Sequence, residues 1–290
     1  MALKLIRSLL LAPANRHDLL AKFPRFGADC CVIDLEDGTP SADKVAARAA
    51  LPKAVGAIRA GGYGGLLTVR VNEPGSPLYL DDLAAAFDAG IDAVVIPKVE
   101  EPGQLWPAHH HVARLAAIHP ARARRFVVCG LESVRGVQAA ARVSRPDLDV
   151  GAVYFGAEDY ASSIGGRRTP QGQEVLAARS MVVMAAKAAG LQAIDQAVVD
   201  IRNDAHYLAD ATQGRELGYG GKTCVTPAQV RLAHQVFSPT PRERDFARRL
   251  VAAYEEALGR HVGVIEFEGQ MVDGPLLKRA QAILAAPADG

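Results

Sequence analysis

Short apolar runs recur along the chain at residues 9–12, 30–35, 66–71, 93–99, 126–131, 152–155, 191–194 and 223–226. Most are continuous rather than alternating, as expected of strands buried on both faces of a parallel sheet. Between them lie Ala- and Leu-rich stretches with helical spacing, at 43–58, 79–89, 134–142, 173–189 and 201–217. Gly27, Gly90, Gly190 and Gly218 stand at helix-to-strand joints, where a chain leaves a helix through a left-handed residue. Eight strands alternating with helices over residues 8 to about 235 predict an α/β chain folded as a (β/α)8 TIM barrel. An open doubly wound sheet is the alternative, because a linear pattern does not show closure. No Gly-x-Gly-x-x-Gly loop follows a strand; Gly61-Gly62-Tyr63-Gly64-Gly65 precedes one, the wrong order for a dinucleotide loop.

After the eighth run, Ser238-Pro239-Thr240-Pro241 makes a stiff break and a helix start. A charged amphipathic helix is expected over 242–258, then a strand-like segment over 262–272, and Asp273-Gly274-Pro275 turns into a last helix over 276–284. The expected organisation is a catalytic barrel at 1–237 followed by a C-terminal helical extension at 238–290. That extension is too small to be an independent domain and packs on its own barrel or on a neighbouring subunit.

Composition narrows the class. The 290 residues are 49% hydrophobic, 6% aromatic and 22% charged, which excludes wholesale disorder, collagen-like structure and a small disulfide scaffold. Lys and Arg total 33 against 32 for Asp and Glu, a net charge of +1. So balanced a chain has no global electrostatic reason to bind nucleic acid or an anionic membrane, and an anionic ligand must be met by a local basic patch. Cys30, Cys31, Cys129 and Cys224 sit in or beside apolar runs without metal-site spacing, so buried thiols in a reducing compartment are expected. No apolar run approaches the ~18 residues of a membrane span. The first residues lack the longer apolar core and cleavage site of a signal peptide, so a cytoplasmic protein is expected.

A (β/α)8 barrel builds its active site just past the C-terminal ends of its strands, and those positions are polar here. They carry Asn15 and Arg16, then Asp34, Glu36 and Asp37, then Arg70 and Asn72, Lys98 and Glu100, Glu132, Glu158 and Asp159, and Asp195. Any one carboxylate has a simpler use as a cap on the following helix. So many at one mouth repel one another unless a cation sits among them. A divalent metal with Arg70 and Lys98 resolves the conflict, and oxygen-only ligands favour Mg2+ or Mn2+ over Zn2+. Mg2+ takes one or two protein carboxylates and keeps other positions for water and substrate; Glu132 and Asp159, on adjacent strand ends, are the natural pair. Other features have plainer readings. His109-His110-His111 do not share a helix face and are expected at the surface. Arg122, Arg124 and Arg125 lie ahead of the fifth strand, away from the mouth, and suit solvation or oligomer contacts. Trp106, the only tryptophan, is expected to anchor packing.

Several segments together resemble the citrate lyase β-subunit-like family of the HpcH/HpaI aldolase superfamily. They are Arg7-Ser8-Leu9-Leu10-Leu11-Ala12-Pro13, Ile33-Asp34-Leu35-Glu36-Asp37, Val69-Arg70-Val71-Asn72, Ile96-Pro97-Lys98-Val99-Glu100, Gly130-Leu131-Glu132-Ser133-Val134-Arg135-Gly136, Phe155-Gly156-Ala157-Glu158-Asp159 and Gly221-Lys222-Thr223. The likeness is collinear from residue 7 to about 285. It implies a TIM barrel that binds Mg2+ and makes or breaks a carbon–carbon bond next to a thioester or 2-oxo acid. By motif, the family's metal carboxylates fall on Glu132 and Asp159 and its substrate-binding arginine on Arg70. Its outer carboxylates, which would hold metal-bound waters, fall on Asp34, Glu36 and Asp37. Met271-Val272-Asp273 matches the late segment through which acyl-CoA lyases of this group supply a catalytic aspartate to a neighbouring subunit. A homotrimer is the implied assembly.

The expected function is a Mg2+-dependent lyase cleaving a hydroxyacyl-CoA of the malyl-CoA or citramalyl-CoA type through an enolate. Arg70 and Asp273 would be catalytic, and Arg70, Lys98 and Arg16 would bind substrate. Arg70 suits a bidentate clamp on a carboxylate or enolate oxygen, and Asp273 suits proton transfer. Arg16 and Lys22, near the first loop, are the basic residues available to CoA phosphates. The same site would serve malate-synthase-like condensation, acyl-CoA thioester hydrolysis, or an aldolase acting on free 2-oxo acids. From a different class comes a non-catalytic β-subunit-like component of a larger complex. The chain departs from the family pattern at Thr226-Pro227, where His-Pro is common, at Tyr219-Gly220-Gly221-Lys222, where Asp often precedes Gly-Lys, and at Pro13-Ala14-Asn15-Arg16, where Pro-Gly-Asp-Arg is usual. These changes bear on acyl-chain or CoA specificity and leave the metal carboxylates untouched.

Overall fold

Eight parallel strands close into a barrel in sequence order: β1 (Ser8–Pro13), β2 (Cys30–Asp34), β3 (Leu66–Arg70), β4 (Ala93–Ile96), β5 (Phe126–Leu131), β6 (Val150–Phe155), β7 (Gln192–Asp195) and β8 (Gly221–Cys224). This is the computed structural model, in which residues 5–119 and 125–286 are described. β1 pairs with both β2 and β8, so the sheet has no edge and the open alternative is excluded. Closure requires Gly221, because a Cβ there would run into the backbone of Ile6 and Arg7. Leu9, Cys30, Val32, Val95, Val128, Ala152, Tyr154 and Ile194 form one buried cluster with Ile6. Strand residues alternate between this interior and the surrounding helices. Both sets are buried, which is why the strands read as continuous apolar runs.

The stretch expected as one helix at 43–58 is two, Lys44–Ala49 and Leu51–Ala60. Pro52, in the first turn of the second, lacks an N–H to continue the first and is suited to start another. The expected glycine exits hold; Gly218, for instance, leaves the helix Asp204–Leu217 at φ 104°.

Asp195 is a correction. It follows the seventh apolar run, but its side chain faces the helices rather than the mouth, because its neighbour Ile194 packs in the interior cluster. Arg179, from the helix Gln173–Ala188, holds Asp195 through Nε at 2.8 Å and Nη2 at 2.5 Å. Lys222 Nζ lies 3.0 Å from Asp195 and also bonds Asp210. Arg179, Asp195 and Lys222 are completely buried, so this network of matched charges is structural.

The four cysteines are free and buried; burial pushes the Cys31 and Cys224 thiols up to about 12, which leaves them unreactive. Trp106 is 58% exposed and touches His109 edge-on, so it is no packing anchor. The histidines are not uniformly at the surface either: His109 bonds Asp149 at 2.9 Å and His111 stacks on Phe87. Each helical step turns the next residue about 100° away, so consecutive residues meet different surroundings. Arg122 and Arg124 lie outside the described residues; Arg125 Nε donates to the Ile91 carbonyl at 3.0 Å. Among the described residues no helix is long and apolar enough to cross a membrane.

The chain divides into two compact units, Met1–His234 and Gln235–Gly290. In the second, Thr240 and Glu243 form a capping box that starts the helix Pro241–Gly259. The strand-like segment is a hairpin, β9 (Ile265–Phe267) with β10 (Gln270–Val272), turning through Glu268 and Gly269 at φ 49° and 78°. The helix Gly274–Ala285 follows, and Ala247, Leu250, Tyr254, Val272 and Ala280 make a small core of the unit's own.

Candidate active site

Asp34 ends β2 and Arg70 ends β3, in register with each other. Arg70 sends Nε and Nη2 to the two oxygens of Asp34, each at 2.7 Å. Asp34 also accepts the N–H groups of Glu36 and Gly38, each at 2.9 Å, and so folds the turn that follows β2. Two expectations change here. The arginine fork expected to clamp a substrate is held by Asp34, which leaves Nη1, 3.2 Å from Glu36. Asp34 is saturated by four donors and has little left for a metal-bound water. The cause is burial: Asp34 is 3% exposed, and a carboxylate removed from water must be matched by charge and hydrogen bonds inside the protein.

Glu36 is equally buried, and its burial pushes the carboxyl up against the opposing pull of Arg70 and Lys98. Its Oε1 accepts Lys98 Nζ at 2.6 Å, and its Oε2 accepts the Asp37 N–H at 3.0 Å. Lys98 follows β4 in a left-handed conformation, φ 51°. From there its ammonium reaches Asp37 at 3.2 Å and Asp159 at 3.8 Å as well as Glu36.

Glu132, the residue after β5, is 3% exposed. Burial pushes its carboxyl up to about 7, although Arg70 favours the charged form. Oε1 accepts two hydrogen bonds, from the Lys98 backbone N–H at 3.1 Å and from the Tyr154 hydroxyl. Oε2 accepts none among the described residues, and a Cβ at Gly156 would lie 2.5 Å from it. Asp159 stands in the first turn of the helix Ala157–Ser163 after β6, its side chain 43% exposed and paired with Lys98.

Four carboxylates, from Asp34, Glu36, Asp37 and Asp159, therefore share two cations, Arg70 and Lys98, and Glu132 adds a fifth with no ion pair of its own among the described residues. Glu132, Asp159 and Lys98 line a cleft of about 400 Å³, together with Glu73, Glu100, Gln104 and the serines Ser133, Ser162 and Ser163. An oxygen-only donor set with surplus negative charge suits a hard divalent cation. Among the described residues no three His, Cys, Asp or Glu side chains cluster as a closed metal site. Two carboxylates on an open cleft fit Mg2+, which keeps water and substrate in its other positions. The missing Cβ of Gly156 leaves the approach to Oε2 clear.

Arg16 is not part of this assembly. It is exposed, both Nε and Nη2 bond Asp18 at 2.8 Å, and it does not line the cleft. Asp273, in the second unit, precedes the helix Gly274–Ala285 without capping it. Its Oδ1 is buried with no hydrogen-bond partner among the described residues. Sequence reasoning misses Tyr154, Glu73, Gln104 and the three serines. Tyr154 hides inside an apolar strand, and the available signal is Gly130 directly opposite it on β5. Glu73 and Gln104 fall outside the strand-end positions, where no pattern marks them.

Residues 7–227 match the model of the HpcH/HpaI aldolase/citrate lyase family. The chain is similar to a citrate lyase subunit beta-like protein of Deinococcus radiodurans, with 41% identity over 283 residues that cover 97% of each chain. It is also similar to the mitochondrial citramalyl-CoA lyase of Homo sapiens, 33% identical over 289 residues that cover 95% of this chain and 83% of the relative. Among solved structures it resembles CitE of Mycobacterium tuberculosis in complex with magnesium, acetoacetate and coenzyme A. There the TM-score is 0.78, the identity 29% and the coverage 96% of both chains.

Proposed function

The chain belongs to the HpcH/HpaI aldolase/citrate lyase family and is an enzyme of the citrate lyase β-subunit-like kind; from that premise we propose that it is a Mg2+-dependent lyase cleaving a hydroxyacyl-CoA of the malyl-CoA or citramalyl-CoA type. The observation that carries this reading is the pair Glu132 and Asp159 on one cleft short of positive charge, with Glu132 Oε2 free of hydrogen bonds among the described residues. The magnesium, acetoacetate and coenzyme A of the M. tuberculosis structure and the name of the human relative support it.

In this reading Glu132 and Asp159 hold the metal. When bound, Mg2+ supplies positive charge against the enolate oxygen that develops as the carbon–carbon bond breaks. Arg70, fixed by Asp34, and Lys98, fixed by Glu36 and Asp37, orient the substrate's carboxylate and carbonyl oxygens with little reorganisation. Glu36 and Asp37 steady Lys98 more than they steady water. Asp273, whose Oδ1 has no hydrogen-bond partner among the described residues, carries the proton at a neighbouring subunit's site in a homotrimer. Arg16 exchanges Asp18 for a CoA phosphate. The buried free thiols support a cytoplasmic setting.

Malyl-CoA and citramalyl-CoA assayed with Mg2+ or EDTA test the reading. EDTA, Glu132→Ala and Asp159→Ala are each expected to lower turnover by at least about a hundredfold. Undiminished turnover in both variants overturns it. The name of the Deinococcus relative also supports a β-subunit-like component of a larger complex; turnover by the purified chain alone on free CoA thioesters excludes that.

A further inference from the structure

We propose that Tyr154 is a positioning residue which, with the backbone N–H of Lys98, saturates Glu132 Oε1 and so presents Oε2 alone to the metal. The inference rests on the reading of Glu132 as a metal ligand given above. Tyr154 is 7% exposed and packs in the barrel interior, where an apolar residue would fill the space as well. A buried tyrosine hydroxyl needs a partner, and this one donates to Glu132 Oε1. The local sequence makes room for that bond from both strands. Gly130 lies in register with Tyr154, and a Cβ there would stand 2.6 Å from the tyrosine hydroxyl and 2.7 Å from Oε1. Just past the end of β6, Gly156 clears Oε2. The second donor, the Lys98 N–H at 3.1 Å, belongs to a residue held at φ 51° just past β4.

Two donors on one carboxylate oxygen occupy its lone pairs and fix the plane of the carboxylate. Glu132 cannot rotate, or offer both oxygens to one ion, without giving up both bonds. One-oxygen ligation leaves an additional position for water or for a chelating substrate, which is what an open Mg2+ site requires. Partners that orient a ligand in this way typically matter by about 10- to 100-fold in metal affinity.

The test is isothermal titration of the full chain with Mg2+ in the absence of substrate, with circular dichroism as a folding check. Tyr154→Phe is expected to weaken Mg2+ binding by about 10- to 100-fold and to alter the electron paramagnetic resonance spectrum of bound Mn2+. Gly130→Ala, which keeps the tyrosine but crowds the pair, is expected to do the same. Tyr219→Phe removes another buried hydroxyl, one that donates to the Arg179 carbonyl at 2.7 Å, and is expected to change neither readout. If Tyr154→Phe binds Mg2+ as wild type does while Glu132→Gln loses binding, the positioning role is wrong and the metal site stands. If Glu132→Gln also binds like wild type, both fall.

Discussion

Glu132 shows how one side chain ties stability to pH. Its carboxyl is pushed from an ordinary 4.5 up to about 7 by burial, so between those values the folded chain holds a proton that the unfolded chain has released. The stability linked to that proton is present below pH 4.5 and lost as pH rises through 7. Glu132→Gln removes the charge while its amide oxygen can still accept from Tyr154 and Lys98. In metal-free buffer the variant is therefore expected to exceed wild type in stability at pH 8, by on the order of 3 kcal/mol. The difference should vanish near pH 4.5, and denaturant unfolding at the two pH values measures it. A difference that stays constant with pH would show that ionisation of Glu132 is not its source. At Asp34 the same burial is met by the paired Arg70 guanidinium, whereas at Glu36 burial still pushes the carboxyl up although Arg70 and Lys98 both lie beside it.

At the level of elements, how well the sequence predicts depends on how much of a segment is apolar. β5 is expected and found at 126–131, an almost wholly apolar run. β8 begins two residues earlier than the expected 223, at Gly221. Gly221 and Lys222 do not read as a strand: one is there to let β1 approach, and the other is buried only because Asp195 and Asp210 meet its charge. The approach of β8 to β1 can be tested directly. Gly221→Ala must displace the backbone at Ile6 and Arg7, and it is expected to cost about 3 kcal/mol or more of stability in urea unfolding. A loss below about 0.5 kcal/mol would mean that the barrel closes with room to spare. Helix boundaries fail for a different reason: apolar periodicity runs straight through 43–58, and it is Pro52 that divides the segment.

For the whole molecule, the proposed homotrimer and the proposed role of Asp273 in a neighbour's site make one joint prediction. Glu132→Ala and Asp273→Ala are each expected to be inactive alone. Co-expressed and mixed at random, they restore an intact barrel with an intact neighbouring tail at about a quarter of the sites. Assay of the purified mixture measures this, and no recovery in proven mixed trimers would mean that Asp273 does not act across subunits. The order of elements, the α/β class and the polar strand ends are legible in the linear pattern. Burial on two faces, helix spacing and turn residues are local properties, visible within a few positions. Which acids remain available to a ligand is settled by contacts between elements far apart in the chain. Asp34 is consumed by Arg70, Asp195 by Arg179 and Lys222, and Glu36 by a lysine 62 residues away, while Glu132 keeps one oxygen without a hydrogen bond among the described residues. Where a strand-end side chain points depends on strand parity, and what it meets depends on donors folded against it from distant elements. Neither can be read from the residue and its sequence neighbours alone.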